Sequence, residues 1–291
     1  MKHQQYCQQT RWSSVGNLQA YLDALPSSAL ALADALENTL IHHGAARHLG
    51  FGVPEYAEGD RDVRYLQGLL ALIVERDARP LTDHRDLPDY AYVTCRDFAL
   101  FAVAKLRSEG IPARLRVGFV SYLKRDFWED HWLCEYYQDG QWHLFDAQLG
   151  ARARDGFRIR FDITKLPKGL FMSAARMWCA LRSGDVISDR VGVAAAGISG
   201  EWFAASNLFK DLAAQAMIEL LPWDYWGLSV QAAEESRVSS EDAQVFDQLA
   251  LAMQPGLDLN GAVKLLDSNP YWSLEEGIVS MKRSGKQSYR W

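Results

Sequence analysis

The segment CRDFALFAVAKLRSEGIPARLRVGFV, residues 95–120, followed by DHWLCEYYQDGQWHLFDAQ, residues 130–148, decides the fold. Thr94 is followed three residues later by Asp97, a start signal in which each side chain reaches the other's backbone N–H. Phe98, Phe101, Ala102, Lys105 and Leu106 continue a helix that is apolar on most of its faces. Gly110 is a natural stop, and Ile111-Pro112 prevents continuation. Ala113 to Leu123 alternates as a strand. His131–Tyr137 and Gln141–Gln148 flank Asp139-Gly140, a pair that favours the tight turn of a hairpin.

Three side chains in this segment carry chemistry. With Thr94 as cap, Cys95 takes the first helical position. Unpaired amide N–H groups and the helix dipole favour an anion there, so the thiolate is stabilised. A buried cysteine acting as a small hydrophobe is the structural alternative. In the hairpin, a turn centred between Asp139 and Gly140 pairs residues whose numbers sum to 279. Asp146 then lies opposite Leu133, and His131 opposite Gln148. His131 and Asp146 project from one face as diagonal neighbours, roughly 7–8 Å apart. A carboxylate there can accept from one imidazole nitrogen and leave the other free for a thiol. Cys134 points to the opposite face and reads as structural.

The two stretches resemble the core of the transglutaminase-like superfamily, over about residues 91–150. In that family a cysteine opens a helix, the helix ends before a Gly-Ile-Pro-Ala-Arg turn, and a histidine strand and an Asp-ended strand follow. The resemblance implies Cys95 as nucleophile, His131 as base and then acid, and Asp146 as orienter. It implies a papain/transglutaminase-like core, a helix packed on an antiparallel sheet. It implies acyl transfer or hydrolysis at an amide-type bond through a thioester acyl-enzyme. The expected partners are a peptide, amide or thioester acyl donor and, for transfer, an amine acceptor. The Cys95 backbone N–H can supply one oxyanion donor. A papain-like Gln six residues before the cysteine is absent, because Asp89 stands there. Tyr92, Tyr90 and Gln67 are the candidates for a second donor.

Outward from the core, the chain reads as helical at both ends. Leu18–Leu40 is helical with Pro26 as a break or a first-turn residue, Gly44–Gly59 a loop, and Asp62–Arg76 a helix. Arg79–Tyr90 is irregular. Gly156–Asp162 (GFRIRFD) alternates as one more strand, with Arg158 and Arg160 on a solvated face. Arg152 and Arg154 join them as an alternative anion-binding strip. Phe171–Arg182 reads as one helix stopped near Gly184. Leu208, Phe209, Leu212, Ala213, Ala216, Met217 and Leu220 form an apolar stripe stopped by Pro222. Residues 241–253 and 261–267 read as short helices. The architecture is α+β with helical N- and C-terminal extensions. Residues 1–90 are expected as an N-terminal helical part of the same domain and 91–165 as the catalytic core. Residues 166–291 are expected as a helical extension packed on that core.

Composition narrows the function classes. Hydrophobic residues make 48% and charged residues 23% of 291, which excludes a disordered or low-complexity chain. A net charge of −6 gives a nucleic-acid surface no global support. Four cysteines are too few for a disulfide scaffold. The polar start MKHQQYCQQTRW lacks the core of a signal peptide, and no apolar run reaches membrane-helix length. A cytoplasmic protein with reduced thiols and no nucleic-acid or membrane partner is expected. His42, His43 and His48 lack metal-site spacing, since adjacent histidines point apart on a helix, so no metal or cofactor is expected. Trp202, Trp223, Tyr225 and Trp226 read as core packing or as the wall of an acceptor cleft. Trp128 and Trp132 flank His131 and either shield it or pack. Two other classes remain beside the thiol enzyme: a non-catalytic interaction protein on the same fold, and a zinc-dependent hydrolase.

Overall fold

The computed structural model describes residues 3–48, 52–254 and 256–290. The chain divides into two compact units. One comprises residues 1–115 and 132–167, the other residues 116–131 and 168–291.

In the first unit the helices are α1 (Gln19–Asp23), α2 (Ala29–Leu36), α3 (His43–His48) and α4 (Leu66–Arg76). The break at Pro26 holds, and Ser28 caps α2 through its hydroxyl. Leu40 is not helical: it opens β1 (Leu40–His42), which pairs in parallel with β2 (Ala91–Val93). The stretch read as a loop after Gly44 contains α3 and a short turn at Glu55–Ala57, while residues 49–51 lie outside the described residues. The helix expected from Asp62 starts later, at Leu66.

The central helix α5 (Cys95–Ser108) is buried at every residue from Cys95 to Arg107. A helix sunk this deeply must satisfy its polar side chains internally. Lys105 donates to the Asp23 carbonyl, and Arg107 donates to the Ala113 carbonyl and Ser13 hydroxyl. Gly110 ends it at a φ of 75°, with Ile111 N–H bonding back to the Leu106 carbonyl. Strands β3 (Ala113–Val120) and β4 (Trp128–Gln138) contribute residues to both units, and β5 (Gln141–Phe145) completes the hairpin. Its register is the expected one, with Glu135 opposite Leu144 and Cys134 opposite Phe145. Asp139 and Gly140 both take positive φ, 53° and 83°, as the tight turn demands. The strand stops at Phe145, three residues short of the expected Gln148, because the Asp146 N–H turns to the Ile163 carbonyl.

The expected strand at 156–162 does not form. Residues Ala151–Gly156 are α6, and Arg158 sits at a φ of 55°. The cause is tertiary. The Glu37 carboxylate accepts the N–H groups of Arg152 and Ala153, at 2.8 and 2.7 Å, and so caps α6 from a distant part of the chain. Arg154 pairs with Asp34 at 2.8 Å, so Arg152 and Arg154 hold α6 in place and form no anion strip.

The second unit holds β6 (Phe171–Ser173), α7 (Ala174–Ser183), β7 (Val191–Val193) and β8 (Ile198–Ser199). It continues with α8 (Glu201–Gln215), β9 (Asp224–Tyr225), α9 (Leu228–Glu235), α10 (Ser240–Met253) and α11 (Leu259–Leu266). It ends with β10 (Ile278–Lys282) and β11 (Gly285–Tyr289). The single helix expected at Phe171–Arg182 is a strand followed by a helix. Phe171–Ser173 pairs with β3, and Ser173 then caps α7. Gly184 stops α7 at a φ of 80°. Strand β7 runs parallel to the first residues of β4, with Trp128 opposite Val191 and Glu129 opposite Gly192. A three-stranded sheet in the order β11-β10-β9 adds to the helical C-terminal part.

Helix α8 departs most from expectation. It begins at Glu201, ends at Gln215, and is buried at every residue from Phe203 onward. The apolar stripe therefore continues past the helix end, since Met217 has a φ of 60°. The face carrying Asn207, Lys210, Asp211 and Gln215 is buried as well and bonds to neighbouring elements.

Candidate active site

The first unit builds a rigid approach to Cys95. Arg76 grips the buried Asp60 with two bonds, of 2.6 and 2.7 Å. The same Asp60 accepts the Tyr92 N–H at 2.9 Å, and Arg76 also donates to the Tyr90 carbonyl at 2.7 Å. One ion pair thus clamps the backbone of Tyr90 and Tyr92, just ahead of the cysteine. Tyr90 and Tyr92 pack with Ala46 and Ala57 above this clamp. Nothing in the sequence pairs positions 60 and 76, so reading it could not reveal the clamp.

Cys95 occupies the first position of α5 and is 6% exposed. Asp97 closes the cap: its Oδ2 accepts from Thr94 N and Thr94 Oγ1, at 2.9 and 3.0 Å. An acidic group this close would oppose a thiolate, but Arg96 donates to Asp97 Oδ1 at 2.9 Å and balances it. Arg96 also donates to the Arg64 carbonyl, which fixes the first turn. The N-terminus of α5 thereby keeps its dipole for a further anion.

Asp146 follows β5 and is fully buried. Its Oδ1 accepts the Gln148 N–H at 3.1 Å, a local turn that fixes the carboxylate. Asp146 follows Phe145, the last residue paired with β4, and on β4 Leu133 and Glu135 share one face. Cys134 is on the opposite face and fully buried, and burial pushes its thiol far up.

Of the oxyanion candidates, Tyr92 is buried and donates its hydroxyl proton to the Leu87 carbonyl at 3.1 Å. A hydroxyl has one proton, so in this conformation Tyr92 is committed to Leu87. Tyr90 holds its hydroxyl between His84 and Arg152. Gln67 is exposed in the first turn of α4, against Gly16.

In the second unit His131 is 1% exposed on β4, with the Tyr122 ring edge-on at 6.3 Å. Its neighbours on the strand alternate. Trp128 packs with Phe119, Val191 and Phe203, and Asp130 accepts from Asn207 of α8 at 2.7 Å. Glu129 points the other way, with His131, and accepts the Ala194 N–H at 3.1 Å. Trp128 therefore packs in the core of this unit and does not shield the imidazole. Trp132 is buried on the face away from His131. Trp226 and Tyr225 are packing groups too: Trp226 meets Phe209 edge-on at 5.5 Å, and Tyr225 lies under the Lys210 ammonium at 4.4 Å. The sequence reading did not single out Glu129, although its place two residues before His131 was visible.

No curated protein matches the chain. One solved structure that resembles it is a protein from Cytophaga hutchinsonii described as a "Putative Cysteine Protease", at 19% identity and a TM-score of 0.32. The likeness covers 50% of this chain and 41% of that one, so the chain spans less than half of that neighbour's length. Residues 75–147 match the model of the transglutaminase-like superfamily core, and they contain the capped helix of Cys95, the strand of His131, and β5 with Asp146 just after it. Over this segment the chain is similar to the transglutaminase-like superfamily core.

Proposed function

We propose that the protein is a thiol-dependent enzyme that transfers or hydrolyses an acyl group at an amide-type bond, with Cys95 as nucleophile, His131 as acid and base, and Asp146 as orienter. The observation that carries this is Cys95 at the first position of a buried, doubly capped helix, inside a transglutaminase-like core. The spacing of His131 and Asp146 about the Asp139-Gly140 turn supports pairing them in this reading.

In this reading the Cys95 thiolate attacks the carbonyl carbon, and the Cys95 N–H stabilises the oxyanion. His131 gives its proton to the leaving group as the C–N bond breaks, and a thioester remains on Cys95. Water or an amine then attacks with His131 as base, which releases the acyl group and restores the thiol. Asp146 holds the imidazole tautomer and balances the imidazolium.

The test is selective alkylation. Burial pushes the thiols of Cys7, Cys134 and Cys179 upward, so they remain protonated near pH 7. Limiting iodoacetamide at that pH, followed by peptide mapping, is expected to modify Cys95 first. Modification of Cys7 or Cys179 ahead of Cys95 would favour the non-catalytic reading, in which Cys95 is a packed small hydrophobe.

A further inference from the structure

Glu129 and His131 share one face of β4, because Trp128 and Asp130 are engaged on the α8 side. Two residues along a strand, their Cα atoms are roughly 7 Å apart. Glu129 is half-buried, and pairing with Gly192 of β7 fixes its backbone. The Ala194 N–H holds one carboxylate oxygen. Among the described residues no lysine, arginine or histidine forms an ion pair with it. A carboxylate drawn partly out of water with no cation in ion-pair contact is costly, and a cation supplied by a ligand would reduce that cost. Burial pushes the Glu129 carboxyl up to about 7; Asp130 adds to the rise, while the Ala194 N–H, His131 and Lys124 oppose it.

We propose that Glu129 forms a cation subsite beside His131, so that this site takes substrates carrying an ammonium or guanidinium group on the leaving-group side of the reacting bond. This deepens the reading of Cys95, His131 and Asp146 as the catalytic groups and rests on it. His131 protonates the leaving group, so the leaving group passes on the imidazole's side of the bond. A carboxylate on the imidazole's own strand face then meets a positive charge in that part of the substrate. Glu129 acts by charge and takes no proton from the reacting atoms.

The test uses the intact protein and three methanethiosulfonate reagents that differ in charge: trimethylammonioethyl, methyl and sulfonatoethyl. Each forms a mixed disulfide with the Cys95 thiolate and releases methanesulfinate. Glu129→Gln keeps an oxygen for the Ala194 N–H and removes only the charge. Above pH 7 Glu129 is ionised, and at pH 8.5 the ratio of cationic to anionic rates at Cys95 is expected to fall at least about threefold in Glu129→Gln. At pH 5.5 Glu129 is protonated, and the two proteins are expected to give the same ratio. His131, Asp130 and Lys124 are common to both proteins, so their contributions cancel in the comparison. High salt at pH 8.5 is expected to shrink the difference. Equal ratios at pH 8.5, with Cys95 reactive in both proteins, would overturn the subsite and leave the catalytic reading intact. A Cys95 that reacts with none of the three reagents in the wild type overturns the catalytic reading and the subsite with it.

Discussion

Removal of the Asp211 carboxylate is expected to be the most damaging single truncation in the second unit. Its side chain is 1% exposed. One oxygen accepts from Arg116 Nε and from the Val117 N–H, each at 2.9 Å. The other accepts from Arg116 Nη2 at 3.0 Å and Gln215 Nε2 at 3.1 Å. Asp211→Ala leaves a guanidinium only 11% exposed without this anion. Breaking such a pair costs about 3–5 kcal/mol. The Val117 N–H loses its acceptor too, at about 1–3 kcal/mol, though the two penalties overlap. The net expectation is about 4 kcal/mol. With a urea m-value of about 2 kcal/mol per M, the midpoint falls by about 2 M. The double variant Arg116→Met/Asp211→Leu removes both charges and leaves mainly the Val117 N–H to pay for, so it is expected within about 2 kcal/mol of wild type. Urea unfolding followed by tryptophan fluorescence and far-UV circular dichroism measures all three proteins. A loss under 1 kcal/mol for Asp211→Ala, or a double variant less stable than Asp211→Ala, would refute the account of α8 as a buried polar fastening.

Asp146→Asn is expected to keep the fold and shift the pH–alkylation profile of Cys95 to higher pH, as is His131→Ala, while Cys134→Ala leaves it in place; superimposable Asp146→Asn and wild-type profiles would remove Asp146 from the triad. Gly118→Ala places a Cβ 2.1 Å from the Met172 carbonyl and 2.7 Å from the Phe171 ring, so a loss of about 2–3 kcal/mol is expected by urea unfolding. Gly156→Ala meets nothing within 4 Å and serves as the neutral control. Burial pulls the Lys210 ammonium down from 10.5 to about 8. Between these values the unfolded chain binds more protons than the folded one, so stability rises with pH. Against Lys210→Met, the wild type is expected to gain up to roughly 3 kcal/mol from pH 8 towards 10.5 in matched urea titrations, and a flat difference contradicts it.

The helix of Cys95 and the hairpin were legible because their signals are local. Thr94 and Asp97 lie within one turn, Gly110 and Pro112 stop the helix, and Asp139-Gly140 sets a register that nothing distant can slip without exposing Leu133 and Phe145. The reading of 156–162 failed because its deciding partner is remote. Phe157, Ile159 and Phe161 alternate as a strand should, yet Glu37 caps the helix before them and leaves Phe157 40% exposed. Period alone carries no information about a carboxylate more than a hundred residues away. The strands β9 to β11 were missed for a different reason. β11 reads GKQSY, mostly polar and exposed, with no apolar face to betray its period.

Helix α8 shows the limit of amphipathic reasoning most directly. Polar residues opposite an apolar stripe, as Asn207, Lys210, Asp211 and Gln215 are, lie in water in most surface helices. Here they are buried, which is tolerable only if each finds a partner. Each does: Asn207 donates to Asp130, Lys210 to Asn207, Asp211 accepts from Arg116 and Val117, and Gln215 accepts from Leu257. Two of these partners lie on β3 and one on β4, the strand of His131. An apolar face would bury the same area while leaving the strand free to shift by small steps, since dispersion contacts are undirected. Hydrogen bonds to Asp130 and to the Val117 backbone are directional and fail within a fraction of an ångström. The buried polar face of α8 therefore fixes where β4 lies against it, and with the strand it fixes the side of the strand on which Glu129 and His131 emerge. Stability alone does not require that precision; the role proposed for His131, which has to meet a reacting bond, does.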